Sequence, residues 1–227
     1  MRNINGILLD IDNTLYDYSV CHQYAMQKCK QWIYKNHGID ELTFTKSFNI
    51  SRKTINMRLE NTAASHNRLL YFQLTLEKLK ITSFINTLEL YNCYWDNFLD
   101  IITPFEGINY IFEKYIGKVC FVTDLTAHIQ HRKIEKLNLA KYENFIVTSE
   151  EAGCEKPNKK IFKIALDKLN LDPNSVCVIG DNFEKDIIGA KNLNLQSIWL
   201  NRDKTNQHII PNGCIEIKEI NEIKRYI

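Results

Sequence analysis

"GILLDIDNTLYDY", residues 6–18, is an apolar run that ends abruptly in two carboxylates, Asp10 and Asp12, with one isoleucine between them. An apolar, β-branched stretch of this length reads as a buried strand, and extended backbone sends residues two apart to the same side. The two acids therefore stand together where the strand leaves the core.

Two further segments, residues 118–123 and 175–180, repeat the pattern of residues 4–11: each is apolar and stops at an acid or at Thr-Asp. Residues 145–148 and 197–200 also read as strands. Between them lie helical spacings such as Ile161, Ile164, Ala165, Lys168 and Leu169. Strands alternating with helices predict an α/β fold, a Rossmann-like parallel sheet covered on both faces. Residues 18–102 break the alternation. They carry amphipathic helix patterns, the clearest being Leu69, Phe72, Leu76, Leu79 and Leu88, Tyr91, Trp95, Phe98. We expect an α/β core from residues 1–17 and 103–227, with Thr103-Pro104 marking the return, and an inserted all-helical cap over 18–102.

Composition bounds the function. The 227 residues are 44% hydrophobic and 25% charged, a globular balance. The net charge of +2 arises from 29 basic and 27 acidic residues without a polybasic block, so no nucleic-acid surface is implied. Seven cysteines form no C-x-x-C pair and are odd in number, which argues for reduced thiols rather than a disulfide framework. Charge at Asp10 interrupts the first apolar segment too early for a signal peptide or a membrane span. The expectation is a soluble, cytoplasmic protein with no membrane partner; the sequence leaves its oligomeric state open.

In an open parallel sheet, ligands collect beyond the carboxyl ends of the strands. Asp10 and Asp12 would meet Asp181 there, with Asp186 five residues further on in "GDNFEKD". Crowded carboxylates repel one another unless a cation compensates, and hard oxygen ligands suit Mg²⁺. Thr123 offers a hydroxyl, and the N–H of Asp124 could join it on phosphate oxygens. Lys156 precedes Pro157, a good first residue for a helix, which would set its ammonium near a helix N-terminus.

With these residues in order, the chain resembles the haloacid dehalogenase superfamily, and within it the phosphatases that carry a helical cap after the first strand. The matching motifs are D-I-D-N-T-L at 10–15, the strand ending at Thr123, Lys156-Pro157, and G-D-N-F-E-K-D at 180–186. The resemblance implies Asp10 as the nucleophile that forms an aspartyl-phosphate and Asp12 as general acid and then base. It implies Mg²⁺ held by Asp10, the Asp12 carbonyl and Asp181, with Asp186 behind them or joined through water. Thr123, Lys156, Asp124 and the backbone near Asn13 would hold the transferring phosphate. The substrate implied is a small-molecule phosphate ester, a phosphosugar or a nucleoside monophosphate. Members that are dehalogenases lack the second acid, so Asp12 favours phosphate chemistry. A hydrolytic dehalogenase, a phosphomutase and a non-enzymatic scaffold are the alternatives. Asp124 departs from the Asn common among relatives, and we expect only its N–H to matter.

Other features have plainer readings. His128 and His131 should lie on a solvated helix face, and Tyr91, Tyr94, Trp95 and Phe98 should form cap core. Arg52, Lys53, Arg58 and Arg68 are expected on solvated faces, and Tyr16, Asp17 and Tyr18 at a hinge.

Overall fold

A computed structural model describes residues 3–81, 83–202 and 208–227 of the chain. The expected segments also take in residues 1–2, 82 and 203–207, which lie outside the described ones. After β1 (Gly6–Leu9) come four helices, α1 (Tyr18–His37), α2 (Glu41–Arg58), α3 (Arg68–Lys78) and α4 (Phe84–Asp100). There follow α5 (Asn109–Lys114), β2 (Val119–Thr123), α6 (Ala127–Lys136), β3 (Phe145–Thr148), α7 (Ser149–Ala152), α8 (Lys159–Leu169) and β4 (Val176–Gly180). A π-helical turn, Phe183–Ile187, runs into α9 (Ile188–Lys191), and β5 (Gln196–Leu200) and β6 (Cys214–Ile217) complete the order. Two compact units result: Met1–Asp17 with Thr103–Ile227, and Tyr18–Ile102.

In the first unit all six strands are parallel, in the order β3-β2-β1-β4-β5-β6. The apolar half of "GILLDIDNT" is thus the centre of the sheet, with Ile7, Leu8 and Leu9 wholly buried. Register aligns Leu9 with Phe121 on one side and Ile179 on the other. Residues just beyond these three positions must therefore leave the sheet together. The strand order also reverses at β1, the arrangement that opens a crevice at the carboxyl edge. Beneath it, Ile161, Phe162, Ala165 and Leu169 of α8 pack against Leu8, Cys120, Val122 and Val178. Each of the Ile, Leu, Val and Phe side chains among them contributes about 1.5–3 kcal/mol through burial.

The five expected strands are present with bounds shifted by a residue or two. β6 was not anticipated: its "CIEI" is short, follows Pro-Asn-Gly and is only partly buried as the edge strand. Pro157 does not begin a helix. The Lys156–Pro157 bond is cis, and α8 starts at Lys159 behind Asn158, whose side chain accepts from the N–H of Lys160.

The second unit buries an aromatic core, including Phe44, Phe48, Phe72, Tyr94, Trp95 and Phe98. Tyr94 and Trp95 meet edge to face at 5.0 Å, a geometry that aligns ring edge with ring face. Leu88, expected in this stripe, is instead exposed, and Tyr91 is half-buried. Arg52, Lys53 and Arg58 lie on the surface as expected. Arg68 does not: it is buried at the first turn of α3, among tyrosines.

Among the described residues no helix is long and apolar enough to cross a membrane, and all seven cysteines are free.

Candidate active site

The carboxyl edge of the sheet gathers the residues singled out in the sequence. Asp10 follows β1 directly, its N–H still bonded to the carbonyl of Ile179. The chain then turns tightly, with the N–H groups of Thr14 and Leu15 both donating to the carbonyl of Ile11. Asn13 takes the left-handed conformation this needs (φ 62°), which asparagine tolerates better than most residues. The turn brings the Thr14 hydroxyl to Asp10 Oδ2 at 2.9 Å.

Asp10, Asp181 and Asp186 each offer a carboxylate oxygen, all within 4.8 Å of one another. Lys156 Nζ lies between two of them, 2.6 Å from Asp10 and 2.7 Å from Asp186, with all three side chains buried. Burial pushes Asp10 well above the usual carboxylate range; Lys156 opposes the rise, and Asp186 and Asp181 add to it. Burial likewise lifts Asp181 to about 7, with Asp186 contributing, and raises Asp186 against the pull of Lys156. Burial pulls Lys156 down, but Asp10 and Asp186 outweigh it and hold the ammonium charged. Three acids to one base leaves a deficit of positive charge, which adds to the rise that burial imposes on the carboxyl groups. The donor set is all hard oxygen, so it fits Mg²⁺.

Asp186 owes its position to Gly180. A Cβ at residue 180 would fall 2.2 Å from Asp186 Oδ2, so only glycine leaves room for the carboxylate. The N–H of Asn182 donates to that same oxygen at 3.0 Å, and the indole of Trp199 donates to the carbonyl of Asp181 at 2.8 Å.

Asp12 is wired separately. Lys133 Nζ contacts both its carboxylate oxygens, at 2.6 and 2.8 Å, and the Tyr16 hydroxyl donates to one of them. Burial works against ionisation of Asp12, but Lys133, Tyr16 and Gln130 outweigh it and hold the carboxyl below its usual range. Gln130 Nε2 also donates to the Thr123 hydroxyl and to the Asp124 carbonyl, both at 2.7 Å, and so ties the end of β2 to Asp12.

Asp124 does more than offer its N–H. Its carboxylate accepts from the N–H of Lys156 at 3.1 Å and pairs with Lys185 at 2.6 Å. Lys185 reaches Glu155 as well, at 3.3 Å, so one ammonium ties the π-helical turn to two loops of the site.

Three of these residues, Gln130, Lys133 and Lys185, were not foreseen. A signal existed for two of them. His128 and His131 are on the exposed face of α6 as expected, which leaves residues 130, 133 and 137 for the inner face. Two of those three are polar, an exception to the apolar pattern that marks a functional contact.

A family model described as haloacid dehalogenase-like hydrolase matches residues 7–200. The chain belongs to this family. It is 30% identical over 201 residues to ribulose-1,5-bisphosphate 5-phosphatase of Halopiger xanaduensis, covering 85% of this chain and 83% of that one. It is 29% identical over 206 residues to glyceraldehyde 3-phosphate phosphatase of Methanocaldococcus jannaschii, covering 88% and 86%. Among solved structures, a 2-haloacid dehalogenase from Pseudomonas syringae superposes with a TM-score of 0.74 at 18% identity, over 98% of this chain and 97% of that one. The fold is therefore shared with hydrolases of both phosphate esters and carbon–halogen bonds, and the chemistry has to be argued from the site.

Proposed function

We propose that the protein is a Mg²⁺-dependent phosphatase of small phosphate esters, a phosphosugar or a nucleoside monophosphate, working through an aspartyl-phosphate on Asp10. The observation that carries this reading is the separate wiring of the two aspartates, Asp10 to Lys156 and Asp12 to Lys133. A phosphatase needs a nucleophile and a proton carrier as distinct groups, whereas halide departs without a proton. The named phosphatase relatives, each matching over most of its length, support the same reading.

In the first step an Asp10 oxygen would attack phosphorus, the bond to the leaving oxygen would break, and Asp12 would give that oxygen its proton. Lys133 holds Asp12 ionised, so the acid role asks Asp12 to leave Lys133 and take up a proton. In the second step Asp12 would remove a proton from water; the water oxygen would bond to phosphorus and release phosphate from Asp10. Lys156, the Thr123 hydroxyl and the N–H of Asp124 would bind and orient the phosphoryl oxygens. Asp10, the Asp12 carbonyl, Asp181 and Asp186 would hold Mg²⁺, which when bound offsets the surplus negative charge of acids and phosphate. Asp186 enters this set as a candidate direct ligand, because its carboxylate oxygen lies within 4.8 Å of those of Asp10 and Asp181.

The reading is tested by phosphate release from a generic aryl phosphate with Mg²⁺ and after chelation. Turnover that depends on the metal is expected; no turnover with Mg²⁺ present would sink it. Release of free phosphate from a sugar phosphate, rather than its isomerisation, separates a phosphatase from a mutase. Lys133→Met is expected to lower kcat/KM roughly 10- to 100-fold, the usual scale for a mispositioned proton carrier. Unchanged kcat/KM would remove Lys133 from the mechanism.

A further inference from the structure

Arg202 leaves the sheet just beyond β5 and takes no part in the chemistry proposed above. The residue before it is well anchored: the N–H of Asn201 donates to the carbonyl of Ile217 at 2.9 Å, and its side-chain amide donates to Glu216 at 2.8 Å. The Arg202 side chain is exposed, yet it has two defined contacts. Nη1 donates to the carbonyl of Asn13 at 2.6 Å, and the guanidinium carbon stands 3.5 Å from the centre of the Phe105 ring. A planar cation makes both contacts at once, lying flat on the ring while an N–H points outward in its own plane.

Phe105 is a fixed platform. Its N–H donates to the carbonyl of Leu15 at 2.8 Å, and two residues further on Gly107 packs so closely on Asn221 that a Cβ there would fall 1.7 Å from the side-chain oxygen. The turn after Asp10 is the less secure partner, because Asn13 holds a left-handed conformation that costs any residue with a Cβ. The Asn13 carbonyl and the Thr14 N–H belong to one peptide unit. Arg202 holds the carbonyl end, and the carbonyl of Ile11 accepts from the N–H end at 3.3 Å. The second bond is long, so the charge-assisted one secures the unit. If this peptide rotated, Thr14 would leave Ile11 and carry its hydroxyl away from Asp10 Oδ2, which it meets at 2.9 Å.

We propose that Arg202 is a positioning residue: braced on Phe105, it holds the Asn13 carbonyl and so fixes the turn that aims the Asp10 carboxylate. The proposal rests on the phosphatase reading, in which Asp10 is the nucleophile. It adds a group from the end of β5 to a site otherwise built from β1, β2, the loop before α8 and the end of β4.

The test uses the full chain with Mg²⁺ and a generic aryl phosphate. Arg202→Met is expected to lower kcat about 10- to 100-fold, the scale for a reacting group misplaced by about an ångström, and to move KM less than about 3-fold. Arg202→Lys should keep part of the rate, since an ammonium reaches the carbonyl but does not lie flat on the ring. A groove of about 480 Å³ lined by Phe105, Arg202 and Ile220 lets a small cation enter from solvent. Millimolar guanidinium should therefore raise kcat of Arg202→Ala about 10-fold, and tetramethylammonium at equal ionic strength should not. Thermal unfolding of Arg202→Met should stay within about 2 °C of wild type, as for an exposed side chain, while amide exchange at Thr14 and Leu15 quickens several-fold. Unchanged kcat in Arg202→Met, or unchanged exchange at Thr14 and Leu15, would overturn the proposal. A loss confined to KM would overturn it by marking a contact with substrate, and a large fall in melting temperature without guanidinium rescue would overturn it by marking a structural cation. All of these outcomes leave wild-type turnover intact, whereas absence of wild-type turnover on every ester would defeat the phosphatase reading and the role of Arg202 with it.

Discussion

Asp10→Asn is expected to lower phosphate release by roughly 10³- to 10⁵-fold, because an amide oxygen cannot form the aspartyl-phosphate on which both steps depend. The variant should fold. Asparagine keeps an acceptor for the Thr14 hydroxyl, and Lys156 keeps its contact with Asp186. Loss of the Asp10 charge also relieves repulsion from Asp186 and Asp181. The measurement is phosphate release alongside a quench experiment: acid-quenched wild type should retain substrate phosphate in a form that hydroxylamine removes, and Asp10→Asn should retain none. Turnover by Asp10→Asn near the wild-type rate would exclude the nucleophilic role.

Lys156→Met should damage both stability and catalysis. Removing one partner from a buried ionic cluster costs about 3–5 kcal/mol, since the charges left behind have neither water nor a counter-ion. Here Asp10 and Asp186 would lose the ammonium they share. The cost has a direction in pH. With Lys156 gone, the three carboxyl groups bind protons more readily folded than unfolded, so the folded state is favoured at low pH and loses that advantage as pH rises through about 7, where Asp181 already titrates. Thermal unfolding in a chelator should therefore show a larger deficit at pH 8 than at pH 5, and Mg²⁺ should restore part of it. A deficit independent of pH and metal would mean that the acids do not form one electrostatic unit. Phosphate release should fall about 10²- to 10³-fold, the scale for losing one donor to a developing anion.

Much of the site was legible because it follows from strand ends. Asp10, Thr123 and Asp181 each sit where an apolar run stops, and a parallel sheet brings such ends to one edge whatever the details of packing. Lys156 was found for a reason that did not hold. It reaches Asp10 from a loop held by Asp124, whose carboxylate is invisible in a motif that only asks for an N–H. Lys133 and Arg68 were read as, or passed over with, ordinary helix-surface cations, because sequence spacing gives a residue's face but not what that face meets.

The sequence by itself determined the parallel sheet, the helical insertion and the acids at the sheet edge, since these depend on local periodicity and on where apolar runs end. Only the tertiary structure decided how the charges pair: Lys156 between Asp10 and Asp186, Lys133 on Asp12, Lys185 on Asp124 and Glu155, Arg68 among phenols. Pairing depends on distances of a few ångströms between residues 30 to 146 positions apart, and on burial that makes an unpaired charge costly. Neither quantity is written in spacing along the chain.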